Sequence, residues 1–155
     1  GSDIVIPFVD KSSLKNQKER NLVTSFLNDF DQICTNMNIN LSLETDLEPN
    51  NFKDFLSNMN NRKIRVNYDS GNSASLGYEF EREICLYGDK ISNIHIKDRK
   101  LNSGPVLLGE GDAELGKIKE YLFDSNYSGL IVFQAYRDHN PVETFQKQFK
   151  YFLNL

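Results

Sequence analysis

Four side chains able to ligate a metal or move a proton stand at matching places in the sequence. Glu44 lies in "NINLSLETD", Asp69 ends "KIRVNYD", His95 lies in "ISNIHIKD" and Gln134 in "GLIVFQAYRD". Two carboxylates and an imidazole suit Mn2+, Mg2+, Co2+ or Zn2+, and Gln134 would add a neutral amide oxygen. Each residue alone has a plainer explanation. A strand-end Asp forms turns, a strand His is commonly a satisfied polar residue, and Glu44 could cap the loop after it. As a set they need a scaffold that carries distant segments to one rim.

Five short apolar runs read as strands, over 3–10, 38–46, 63–69, 91–98 and 129–138. Helical patterns lie between them. Leu22, Val23, Phe26, Leu27, Phe30, Ile33 and Met37 form one apolar stripe. Phe52, Phe55, Leu56 and Met59 form another, as do Leu115, Ile118, Tyr121 and Leu122. Residues 79–87 read as a short helix, and Pro141 opens a last one carrying Val142, Phe145, Phe149 and Phe152. Alternating strands and helices predict βα units on a parallel sheet, in an α/β fold. An open doubly wound sheet would make both parities of each strand apolar. Here one parity is polar: Ser42/Glu44/Asp46, Arg65/Asn67/Asp69 and Asn93/His95/Lys97. Such sorting fits a barrel whose interior turns polar at the C-terminal rim, where barrel chemistry is built. A complete barrel takes about 250 residues and eight strands. The expectation is therefore a single domain over 1–155, a partial (βα)8 TIM barrel of about five strands. Its open edges predict a homo-oligomer or pairing with a missing barrel half.

At this point the sequence resembles a known group. "IVIPFVD", "LSLETD", "VNYDSGN" and "IHIKDR" are similar to the second half of the xylose-isomerase-like TIM barrels, as strands four to eight over nearly the whole chain. That superfamily holds sugar-phosphate isomerases, 3-epimerases and endonuclease IV-like repair enzymes. The Asp-x-Gly-Asn turn and His-Ile-Lys-Asp-Arg resemble its sugar isomerase/epimerase branch. The resemblance implies metal ligation by Glu44, Asp69 and His95. It also implies a Glu at the end of the last strand, serving the epimerases as ligand and second acid/base. Gln134 stands there instead. An amide has no usable proton-transfer pKa, so a symmetric two-base epimerisation is not expected, while ligation by the amide oxygen stays open.

The chemistry implied is proton transfer beside a carbonyl of a sugar or sugar phosphate. A metal would polarise the carbonyl and adjacent hydroxyl, and Glu44 would remove the acidified proton to give an enediolate. General base catalysis contributes roughly 10²–10⁴-fold. Lys97 shares the parity of His95 and is a candidate for charge stabilisation or substrate anchoring, against an ion pair with Asp98 or Glu44. Asn72, Arg99 and Arg137 are candidate substrate-binding residues. Solvation or loop pairing is the simpler reading of Arg99 and Lys100, and a solvated loop that of His139. Gly109 and Gly111 precede a helix with Asp112 as N-cap. A plain turn is favoured there over a phosphate site.

Totals narrow the function classes. The formal net charge is −4 and the pI about 5.2, which argues against nucleic-acid binding. The two histidines are too few for the several zinc ions of the repair branch. No apolar run is long enough to span a membrane, and no signal peptide is seen. Cys34 and Cys85, each in a helical segment, are expected to be reduced core thiols in a cytoplasmic protein. Against the enzyme stands the alternative of a non-catalytic partial barrel that self-associates through its sheet edges.

Overall fold

Strands and helices alternate along residues 2–155, the part of the chain described by a computed structural model. The strands are β1 (Ser2–Phe8), β2 (Ile39–Thr45), β3 (Ile64–Asp69), β4 (Ile91–Ile96), β5 (Asp98–Arg99), β6 (Pro105–Val106) and β7 (Leu130–Phe133). The helices are α1 (Gln17–Asp29), α2 (Asp31–Met37), α3 (Pro49–Ser57), α4 (Ser70–Leu76), α5 (Phe80–Tyr87), α6 (Leu115–Asp124) and α7 (Pro141–Leu153). Five parallel strands form one sheet in the order β1-β2-β3-β4-β7, as expected of a partial TIM barrel. β5 and β6 make a separate antiparallel pair that the periodicity did not show. The described residues include no helix long and apolar enough to cross a membrane.

The chain divides into two compact units. The first runs to Asn67 and includes Ile84–Asn93. Within it β1 pairs with β2 in register from Ser2↔Ile39 to Phe8↔Thr45, and β2 with β3 from Leu41↔Ile64 to Leu43↔Val66. One strand parity is the apolar core, with Leu41, Leu43, Ile64 and Val66 buried alongside Phe52, Phe55 and Leu56 of α3. The other parity is polar but also buried: Ser42, Glu44 and Asn67. α3 begins as its sequence dictates, with Pro49 at its first position and the Glu48 carboxylate accepting from the Asn50 and Asn51 amides.

Two expectations change in this unit. The stripe from Leu22 to Met37 lies on two helices, α1 and α2, that meet at Phe30 (φ −88°, ψ −2°). Of that stripe Leu27 is buried, whereas Leu22, Phe26, Ile33 and Met37 are exposed. Cys34 is buried as expected, but Cys85 is exposed; both are free thiols.

The second unit comprises Tyr68–Glu83 and Ile94–Leu155. Ile94, Ile96, Ile118 and Leu115 lie in its core, and Tyr68 stacks edge-on with Phe80, which meets Tyr121. Pro141 opens α7, and Phe133 of β7 contacts Phe145, Phe149 and Phe152. The last strand is shorter than its apolar pattern: β7 stops at Phe133, and residues 134–138 are irregular. The Ser70-Gly71 step, read above as a turn, is instead the first turn of α4.

Candidate metal centre

Asp69 is the last residue of β3 and the N-cap of α4 at once. Its Oδ1 accepts the Asn72 backbone N–H at 2.8 Å, satisfying an orphan amide of the first helical turn. The helix ends at Gly77 with φ +74°, the left-handed stop that glycine favours. Between these caps Ser70, Ser73, Ala74 and Ser75 are buried, so small side chains let the helix lie close to its neighbours.

With Oδ1 committed to the cap, Oδ2 points elsewhere. It is buried and has no hydrogen-bond partner among the described residues. The His95 Nδ1 lies 3.8 Å from it, and the Lys97 Nζ also lies 3.8 Å from it. Both distances are too long for hydrogen bonds. Two atoms each about 2.1 Å from a shared ion can stand up to about 4.2 Å apart, so the Asp69–His95 spacing fits two ligands of one divalent cation. A buried carboxylate oxygen without a donor is also the group such an ion would satisfy.

Ser70, which the sequence reading passed over, fixes this spacing. Its hydroxyl donates to the Lys97 carbonyl at 2.6 Å and accepts the Lys97 N–H at 2.9 Å, and it lies 3.1 Å from the His95 carbonyl. The residue after Asp69 thus grips the chain at His95 and Lys97. Gly71 seats the lysine. A Cβ there would come within 2.7 Å of Lys97 Cγ, so only glycine lets the lysine stem lie across the start of α4.

Glu44, the last residue but one of β2, is a buried carboxylate and accepts from Asn67 Nδ2 at 2.7 Å. Asn67 sits two residues before Asp69 on β3, so the two side chains leave that strand on the same face. Gln134 follows β7; its backbone N–H donates to the Ile96 carbonyl at 3.0 Å, and the residue is exposed. Asn72 and Arg99 bind each other, Nη1 to Oδ1 at 3.0 Å, and Arg99 Nε also donates to the Ser103 carbonyl. Lys97, Gln134 and Arg137 border one cleft with Pro105, Ala135 and Tyr136.

A second buried carboxylate has the opposite character. Asp98 Oδ2 accepts from the Gly109 and Gly111 amides, and Oδ1 from the Ala113 amide, at 2.8 to 3.0 Å. These amides are therefore spent on an internal carboxylate, and the Gly109–Gly111 segment is a structural turn. Gly109 adopts φ +92° beneath the Tyr151 ring, and a Cβ on Gly111 would strike Asp98. Asp112 does not cap α6 as expected: Glu114 holds the N-cap position, and Asp112 accepts from the Leu101 amide. On the opposite strand parity, burial raises the pKa of Tyr68 well above its ordinary value, with the Glu83 charge adding to it.

The sequence matches the model of the xylose isomerase-like TIM barrels over residues 7–155. The chain belongs to that family. Comparison with curated protein sequences finds no match. Solved structures share the family fold at low identity. The 3-keto-D-glucoside 4-epimerase YcjR of E. coli is 14% identical, with 97% of this chain covered, 63% of that one and a TM-score of 0.75. A xylose isomerase domain protein from Planctomyces limnophilus is 19% identical, with coverage of 98% and 57% and a TM-score of 0.76. The IOLI protein, solved with a bound zinc atom, is 16% identical, with coverage of 98% and 63% and a TM-score of 0.75. This xylose isomerase-like chain therefore spans about three-fifths of the length of these structures.

Proposed function

We propose that this chain carries the metal centre of a divalent-metal-dependent sugar or sugar-phosphate isomerase or epimerase. The observation that carries the proposal is the buried Asp69 oxygen, without a hydrogen bond, facing the His95 imidazole at 3.8 Å. Glu44 is the proposed third ligand. It is supported by its hydrogen bond from Asn67 on the strand that ends in Asp69, and by chemistry, since two carboxylates and an imidazole are a divalent-cation set. Gln134 is the proposed neutral fourth ligand through its amide oxygen.

A bound divalent ion would supply Lewis acidity toward a ketose carbonyl and its neighbouring hydroxyl. Glu44 removes the proton from the adjacent carbon, and Asn67 holds its carboxylate in place for that transfer. Lys97, its ammonium 3.8 Å from Asp69 Oδ2, anchors the substrate beside the centre. Arg99 and Asn72, fixed to each other, present polar groups to substrate hydroxyls. Gln134 cannot exchange a proton, so the proton returns through Glu44, and isomerisation to the next carbon is the favoured outcome.

Pairing of this chain, with a second copy or with further barrel strands, is proposed through the sheet edge at β7. Support comes from β7, where Leu130, Ile131 and Val132 are exposed.

Metal analysis after equilibration with Mn2+ or Zn2+ tests the centre. About one ion per chain is expected in the natural sequence, and its loss in Asp69→Ala and in His95→Ala. Retention of the ion by both variants would refute this assignment of ligands.

A further inference from the structure

The cleft next to the metal centre is cationic, and this bears on the class of substrate. It has a volume of about 520 Å³ and is bordered by Lys97, Pro105, Gln134, Ala135, Tyr136 and Arg137. That volume falls within the range of small-molecule sites. Among the described residues that border it, the charged ones are one lysine and one arginine. Local positive charge is notable on a chain with formal net charge −4, because it offsets an overall field that repels anions. Lys97 also joins this cleft to the proposed metal ligands, since its ammonium lies 3.8 Å from Asp69 Oδ2. Gly71 and Ser70 fix it there from stem and backbone. Arg137 borders this cleft, whereas the Arg99 guanidinium is bonded to Asn72 and Ser103.

We propose that this cleft holds an oxyanion of the substrate, a carboxylate or a phosphate, between Arg137 and Lys97, with Gln134 and the Tyr136 hydroxyl as neutral donors. The substrate class is then an anionic hydroxy-carbonyl compound, a sugar phosphate or a sugar acid, and not a neutral sugar. This inference rests on the metal-centre reading for the position of the reacting end; the capture of the anion does not depend on it.

The test is equilibrium binding to the metal-free chain by calorimetry, with inorganic phosphate, acetate, fructose 6-phosphate and neutral fructose as probes. Fructose 6-phosphate is expected to bind at least tenfold more tightly than fructose, and Arg137→Gln to weaken it by about tenfold, the value of one charged hydrogen-bonding partner. Lys97→Gln is expected to weaken it similarly. Tighter binding of phosphate than of acetate assigns a phosphorylated substrate, and the reverse order a sugar acid. Equal binding of fructose and fructose 6-phosphate, absence of binding by both phosphate and acetate, or an unchanged preference in Arg137→Gln would each overturn the proposal. Mn2+ uptake is measured in parallel. If the natural sequence takes up no Mn2+ but keeps Arg137-dependent phosphate binding, the metal centre falls and the anion site stands. If Mn2+ binds through Asp69 and His95 while anions do not bind, the anion site alone falls.

Discussion

Replacing Asp69 with Asn separates a carboxylate kept for a ligand from one kept for the fold. In the metal-free chain Oδ1 caps α4 through Asn72, and an asparagine oxygen keeps that bond. The substitution removes a charge whose side chain is 1% exposed. Burying such a charge costs several kcal/mol. Against this stands attraction to the Lys97 ammonium at 3.8 Å, about 4 kcal/mol at an effective dielectric near 20. The two terms nearly cancel, so Asp69→Asn without metal is expected within about 1 kcal/mol of the natural sequence, or 2–4 °C in Tm for a chain of this size. Metal breaks the tie. At a free concentration 100 times Kd it stabilises the natural chain by about 2.7 kcal/mol, which corresponds to roughly 5–10 °C. The variant is expected to lose most of that increment. Thermal unfolding followed by circular dichroism, in EDTA and in excess Mn2+, reads both effects. A drop of more than about 10 °C in EDTA would make Asp69 a structural residue, and an equal Mn2+ increment in both proteins would remove it from the ligand set.

Asp98 should behave in the opposite way. Asp98→Ala strands the three amides of Gly109, Gly111 and Ala113 and is expected to cost about 3–6 kcal/mol, read from urea unfolding midpoints. Asp98→Asn keeps one accepting oxygen, opposes an amide group to one N–H, and should cost about half as much; a cost below about 1 kcal/mol for the alanine variant would refute the role. Glu114 predicts a pH effect. Burial opposes its ionisation, but hydrogen bonds from Lys117 and the Phe80 amide outweigh burial and lower its pKa. A lowered folded pKa means stability that is present above the unfolded value and lost as pH falls through the folded one. Glu114→Gln should therefore be less stable than the natural chain near neutrality, with the gap closing below the ordinary carboxylate value of 4.5; a gap constant from pH 7 to pH 3 would exclude this linkage.

The strands were legible because side chains alternate faces with a period of two, whatever covers them. This is why the sorting of Leu41, Leu43, Ile64 and Val66 from Ser42, Glu44 and Asn67 held in the structure. Helical stripes were less informative. Leu22, Phe26, Ile33 and Met37 share a spacing, yet spacing says which residues share a face and not whether anything covers that face. The start of α4 was hidden for another reason. "SGNSASL" is rich in residues that compete with helical hydrogen bonds, and its helix is held by a cap at each end and by burial of small side chains.

That hidden helix determines what the strand-end carboxylates do. Asp69 and Asp98 are the same residue type, both buried and near the ends of successive sheet strands, although only Asp69 shares the polar parity in the sequence. The difference lies in where nearby amides point. Three amides from a glycine-bearing turn converge on Asp98 and use both of its oxygens. Among the described residues a single amide, from the first turn of α4, reaches Asp69, and it uses one oxygen. The other is held 3.8 Å from an imidazole and an ammonium by the Ser70 clamp and the space above Gly71. A carboxylate left half satisfied in a buried place adds little to the fold until something else binds it. The contrast between two aspartates of one chain, more than the presence of either, is therefore what marks Asp69 as a residue kept for a ligand.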